Sequence, residues 1–151
     1  MKLEEFLQFI ECNPYTGSSQ EIVDLSLGIF DASMSLDDSI FYKYKKRSGV
    51  NEKVFSKLKV IGKSLRSLTD KQLALVIPVL PSSYTTIHSL CSGLTAEELV
   101  TSVKRKEISK KLSTRSALKL VKQMRFPKFA ATTGTKQLWG QHQSHLFSVY
   151  R

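Results

Sequence analysis

Apolar residues recur every three or four positions along much of this chain, which is the spacing of amphipathic α-helices. The clearest case runs through Val54, Leu58, Ile61, Leu65 and Leu68. At about 100° per residue these five side chains lie on one narrow side of a helix. The pattern therefore predicts an all-α fold.

Turn-forming and capping residues divide this pattern into eight helices. Ser18 with Glu21, and Thr95 with Glu98, have the three-residue spacing of a capping box, which satisfies free N–H groups at a helix start. Pro78 is expected to kink or end a helix because proline has no N–H group. The predicted helices span residues 2–11, 19–33, 38–47, 52–67, 70–79, 83–91, 96–106 and 114–126. They are expected to form a multi-helix bundle.

Charge is distributed unevenly over the 151 residues. Residues 1–42 carry a net charge of −7, whereas residues 43–128 carry +15. We therefore predict an acidic helical segment (1–42), a basic helical core (43–127) and a polar C-terminal tail (128–151). Such asymmetry indicates a polyanionic partner for the basic part and a separate role for the acidic part.

The basic residues are expected on exposed helix faces and turns, and no acidic residue follows Glu107. This pattern indicates a surface that faces nucleic acid. The predicted contacts are Lys59, Lys63 and Arg66; Lys104, Arg105, Lys110 and Lys111; and Arg115, Lys119, Lys122 and Arg125. For the first group an ordinary solvated helix face is the alternative. The last helix is expected to bury a different side, made of Ala117, Leu118, Leu120, Val121 and Met124.

Short polar side chains distinguish the helix predicted at 83–91. Ser82, Thr85, Thr86 and Ser89 are expected to point outward, whereas Ile87 and Leu90 point inward. Short hydroxyl side chains can approach base edges and phosphates closely. The alternative is an ordinary helical bundle in which these residues are only caps and surface.

The sequence around this helix resembles a known DNA-binding unit. The matching stretches are KQLA at 71–74, LPSSYTTIHSL at 80–90, LTAEEL at 94–99, and ISKKLS at 108–113 followed by Ala117. Together they resemble the helix-turn-helix core of the ParB/KorB plasmid-partition family, and LPSSYTTIHSL is also similar to uncharacterised phage and plasmid proteins. The resemblance covers about residues 69–125. It implies a recognition helix that carries Ser82, Ser83, Thr85, Thr86 and Ser89. The CTP-binding motifs of that family are absent, so no nucleotide switch is implied.

Catalysis and cofactors are not expected. The chain has no phosphate-binding loop and no nucleophile motif, and its acidic residues cluster away from its histidines. His142 and His145 have a helical spacing, but no further ligand lies near them, so no metal is predicted. Cys12 and Cys91 are interpreted as small buried residues in a reducing cytoplasm. No apolar run is long enough to cross a membrane.

The sequence thus predicts a DNA-binding regulatory protein of a bacterium, phage or plasmid, located in the cytoplasm and associated with the nucleoid. Its predicted partner is double-stranded DNA. The alternative is a small protein-binding effector or inhibitor that docks a basic face on an acidic host protein. Residues 1–42 are expected to pack on the basic part, to pair two subunits or to recruit another protein, because Leu25, Leu27, Ile29 and Phe30 are too apolar for a free tail.

Overall fold

The computed structural model describes residues 1–126, which form eight α-helices and one 3-10 turn and contain no strand. This confirms the predicted all-α multi-helix bundle. The helices are α1 (Leu3–Cys12), α2 (Ser19–Ser35), α3 (Asp38–Ser48), α4 (Glu52–Arg66), α5 (Asp70–Val76), α6 (Tyr84–Gly93), α7 (Ala96–Lys104) and α8 (Thr114–Arg125). The predicted tail at 128–151, with His142 and His145, lies outside the described residues.

Helix starts follow the capping residues of the sequence. The boxes Ser18–Glu21 and Thr95–Glu98 are formed as predicted, with side chains and backbone bonded in both directions. The fifth predicted helix is shorter than expected: its last part, Ile77–Val79, is a 3-10 turn. Pro78 explains this change, because its ring and missing N–H group disfavour a continued α-helix.

The even-numbered helices lie side by side, with α2 against α4, α4 against α6, and α6 against α8. Helices α6 and α8 are parallel. Near their starts the hydroxyls of Thr86 and Thr114 meet at 2.8 Å, and seven residues later on both helices Gly93 faces the side chain of Val121. The first turns of α6 and α8 therefore lie at the same edge of the bundle.

Helices α4 and α6 are also parallel. Besides burial, Lys57 affects the pKa of His88 and Ser64 affects that of Cys91, so each pair lies close together and α4 and α6 run in the same direction. Because α4, α6 and α8 run in one direction, the helices between them must carry the chain back. We call the end of the bundle at which α4, α6 and α8 begin the starting edge.

Helices α2 and α4 approach each other closely at Gly62. A side chain at this position would meet the backbone oxygen of Ser26 and Cβ of Phe30. Farther along both helices, Arg66 forms an ion pair with Asp31. Gly62 thus permits the tight contact that joins the acidic and basic parts of the chain.

One hydrophobic core runs from Phe6 to Leu120. Leu25 and Ile29 of the acidic segment are buried within it, so residues 1–42 do pack on the basic part, one of the three expected roles. No helix among residues 1–126 is long and apolar enough to cross a membrane.

Candidate nucleic-acid interface

The exposed sides of α4, α6 and α8 form one surface, because these three neighbouring helices are parallel and each turns its buried side to the same core. Successive residues of a helix are rotated by about 100°, so the buried residues of each helix determine which of its residues lie on the opposite, exposed side. We call this surface the outer face. Its residues are Lys63 on α4; Thr85, Ser89 and Ser92 on α6; and Arg115, Lys119 and Lys122 on α8. Lys59 lies at the border of this face, where its ammonium group is 5.7 Å from the centre of the Phe41 ring of α3.

The middle of the outer face is uncharged and made of short side chains. Ser92 is exposed, and Thr85 and Ser89 are half-buried between the neighbouring helices. The Ser89 hydroxyl donates to the backbone oxygen of Thr85 at 3.1 Å, which leaves its oxygen lone pairs as acceptors. Thr85, Ser89 and Ser92 thus form a polar strip between two basic helices.

Thr86 does not belong to this strip, and the prediction that it points outward is wrong. It is only 2% exposed and bonds to Thr114 of α8. Packing of α8 on that side of α6 explains the difference, since a neighbouring helix covers a polar position that the sequence pattern leaves open. Ser82 and Ser83 are exposed but precede the helix, and the Ser83 side chain caps it by accepting from the Thr86 N–H group.

Helix α8 supplies the densest basic strip of the outer face. Arg115, Lys119 and Lys122 are exposed and lie opposite the buried residues Ala117 and Leu120. Leu118, which was predicted to be buried, is 55% exposed beside this strip. The apolar side of α8 is therefore narrower than the sequence indicates.

Two predicted basic residues are engaged in ion pairs. Arg125 bonds to Glu98 and also donates to the backbone oxygen of Gly93 at 3.1 Å. Arg66 bonds to Asp31 at the border between α2 and α4. These pairs hold helices together and offset charge, so they distinguish both arginines from the lysines of the outer face.

The four basic residues predicted around the α7–α8 connection divide into two sites. Lys110 and Lys111 are exposed just before α8 and thus lie at the starting edge. Lys104 is exposed in the last turn of α7. Arg105 lines a cavity of about 250 Å³, together with Glu97, Glu98, Thr101 and Met124. Two of these lining residues are acidic, and one of them, Glu98, pairs with Arg125.

A pair of residues missed by the sequence reasoning lies in the seam between α4 and α6. His88 has a lowered pKa because burial disfavours its charged form and because Lys57 adds electrostatic repulsion. Lys57 extends the basic side of α4 toward the polar strip. The pairing could not be found from sequence, since the two residues lie 31 positions apart and only the packing of α4 on α6 joins them.

The described residues offer little for metal or thiol chemistry. Among residues 1–126 there is no group of three or more potential metal ligands. Burial raises the pKa of the Cys91 thiol to about 12, which disfavours the reactive thiolate. Cys12 is exposed, so the expectation that both cysteines are buried is wrong for this residue. It lies at the end of α1, where helix packing does not cover it.

Acidic α2, with exposed Asp24 and Asp31, thus lies beside the α4 border of the outer face, and the face itself continues from basic α4 through polar α6 to basic α8. No family model matches the chain, and comparisons with curated proteins and with solved structures give no match either.

Proposed function

We propose that the protein binds nucleic acid, with double-stranded DNA as its main partner, across the outer face of α4, α6 and α8. The observation that carries this proposal is the polar strip of α6 between two helices that both expose lysine or arginine side chains on the same side. Lysine and arginine neutralise phosphates and release bound counterions, which supplies sequence-independent affinity. The basic strips on α4 and α8 are about 16–20 Å apart, which is twice the usual spacing of packed helices.

Features at the starting edge support the same partner. The first turns of α4, α6 and α8 present N–H groups and the positive ends of three helix dipoles. Lys110 and Lys111 lie at this edge, and Ser82 is exposed there. Phosphates that run along the outer face toward this edge would meet these cations and N–H groups, and the acidic residue in the first turn of α4, Glu52, is paired with Lys45.

The packing favours contacts to the DNA backbone over reading of bases. Helix α6 is held between α4 and α8, so it does not project from the surface as a helix that enters a major groove must. Its exposed side chains are short, and Thr86 is buried. We therefore infer binding with low sequence discrimination, in which Thr85 and Ser89 modulate affinity. A DNA-binding role of this kind would place the protein in the cytoplasm, at the nucleoid, as a regulatory factor of a bacterium, phage or plasmid.

Fluorescence-anisotropy titrations with a labelled duplex at several salt concentrations test the proposal. The wild-type protein should lose affinity steeply with salt, with a slope of about −0.9 for each phosphate contacted. The triple variant Arg115→Glu, Lys119→Glu and Lys122→Glu should bind weakly to every sequence and show a flatter slope. The matched control is Lys71→Glu on α5, an exposed lysine outside the outer face.

Circular dichroism should first establish that each variant is folded. Unchanged affinity and salt slope in the folded triple variant would contradict the proposal. That result would instead favour an acidic protein as the partner of this surface.

A further inference from the structure

An exposed aromatic ring lies among lysines on α3, outside the outer face. Tyr42 is 52% exposed, and α3 has no fully buried residue. The ammonium groups of Lys45 and Lys46 lie 5.6 and 5.3 Å from the centre of its ring. Both distances are within the range of a cation–π interaction, so the two ammonium groups lie over a ring that is still half exposed.

Only part of this charge is offset by acidic groups. Lys45 forms an ion pair with Glu52 at 3.1 Å. Lys43, Lys46 and Arg47 are exposed and form no salt bridge with any residue in the described part of the chain. The patch therefore combines one exposed ring with three cations that have no acidic partner among residues 1–126, and one of them, Lys46, lies over the ring.

The position of this patch connects it with the starting edge. Lys45 in the last turns of α3 meets Glu52 in the first turn of α4, so the end of α3 lies beside the start of α4. Tyr42 is seven residues before Gly49, which is about 10 Å along the helix. A nucleic-acid strand at the starting edge can reach the ring within a few nucleotides.

We propose that the Tyr42 patch binds an unpaired segment of nucleic acid, with one base stacked on the Tyr42 ring and adjacent phosphates on Lys43, Lys46 and Arg47. Stacking on an exposed aromatic ring and phosphate contacts from flanking cations are the two components of single-strand binding. In a duplex the base faces are covered by their neighbours and cannot stack on the ring. This inference rests on the proposed function, because it extends nucleic-acid binding to a second surface and to unpaired bases.

The test compares two single strands of equal length, oligo(dT) and an abasic strand with the same phosphates, in titrations with the full chain. The wild-type protein should bind oligo(dT) roughly tenfold more tightly than the abasic strand, as expected for one stacked base. Tyr42→Ala should bring the two affinities within about twofold, whereas Tyr42→Phe should keep the preference because it keeps the ring. Met34→Ala, at an exposed apolar position on α2, is the control and should behave as the wild type.

Titration with a duplex of the same charge distinguishes duplex binding on the outer face from base stacking on Tyr42. Tyr42→Ala should leave duplex affinity unchanged, since the ring contacts only unpaired bases. If the wild type binds duplex but shows no preference for bases over abasic sites, or if Tyr42→Ala retains that preference, the Tyr42 inference is wrong and the proposed function stands. If the wild type binds neither duplex nor single strand, both proposals fail.

Discussion

The hydroxyl groups of Thr86 and Thr114 lie 2.8 Å apart and join α6 to the first turn of α8. The two residues are 28 positions apart in the sequence, and Thr86 is buried whereas Thr114 is only half-buried. This contact changes the interpretation of α6. A threonine predicted to face DNA is instead part of the interface between two helices.

The contact predicts unequal effects for two similar substitutions. Thr114→Val should lower the free energy of unfolding by about 1–3 kcal/mol, because it leaves the buried Thr86 hydroxyl without its partner. Thr86→Val should cost less, about 0.5–1.5 kcal/mol, because the remaining Thr114 hydroxyl can reach water. The double variant should be close to the Thr86→Val protein. Urea denaturation of the four proteins measures these differences.

Neither substitution should change affinity for DNA once the proteins are folded. Thr85→Val, on the exposed side of α6, is the control for the effect of a valine in this helix. Equal destabilisation by Thr114→Val and Thr85→Val would contradict the importance of the buried contact.

The sequence predicts the elements well because their causes are local. Capping residues such as Ser18 and Thr95 act within three positions, and the apolar spacing of α4 follows from the helix repeat alone. The errors arise where a neighbouring helix decides the outcome. Thr86 is covered by α8, and Leu118 stays exposed because no helix among residues 1–126 covers its side.

Local sequence patterns also predict only part of the candidate site. The basic strip of Arg115, Lys119 and Lys122 follows from helical spacing. By contrast, the pairing of Arg66 with Asp31 depends on residues 35 positions apart, and a sequence pattern does not reveal such a pair.

Gly62 is predicted to be intolerant of even a methyl group. Gly62→Ala should place Cβ against the backbone of Ser26 and force α2 away from α4. Overpacking against a backbone atom should cost about 2–3 kcal/mol, and the better helix propensity of alanine returns about 1 kcal/mol, so the free energy of unfolding should fall by about 1–2 kcal/mol. Ser56→Ala, at an exposed position of the same helix, should be neutral or slightly stabilising. Thermal and urea denaturation compare the two variants, and equal stability would show that α2 can shift at little cost.

His88 should make stability depend on pH. Its pKa in the folded protein is lowered from the ordinary value of 6.5 by burial and by Lys57. The unfolded chain therefore binds a proton more readily, and the folded state loses stability as the pH falls through and below 6.5. The free energy of unfolding of His88→Gln should fall less between about pH 8 and pH 5 than that of the wild type.

Lys57→Gln provides the second arm of this experiment. It removes the smaller of the two causes, so it should reduce the pH dependence without abolishing it. Urea denaturation over the pH series gives the three curves. Parallel curves for the wild type and His88→Gln would contradict the lowered pKa.

The ion pairs of α4 and α8 allow the DNA-binding proposal to be tested with single substitutions. Lys122 lies on the outer face and forms no salt bridge with any of residues 1–126, whereas Arg125, three positions later, bonds to Glu98 and to the Gly93 backbone. Lys122→Ala should therefore weaken binding to all duplex sequences and flatten the salt slope by about 0.9, the value of one phosphate contact. Arg125→Ala should leave that slope unchanged and instead lower stability by about 0.2–1 kcal/mol, as expected for an exposed ion pair.

Helix α4 offers the same comparison in Lys63 and Arg66, since Arg66 bonds to Asp31. Lys63→Ala should change the salt slope and Arg66→Ala should not. If the proposed surface is correct, the two lysines behave alike although they lie on helices separated by α6, because a single duplex spans the outer face. The opposite result would contradict the proposed surface: the arginine variants would alter the salt slope and the lysine variants would not. It would mean that the ion-paired arginines exchange their acidic partners for DNA phosphates.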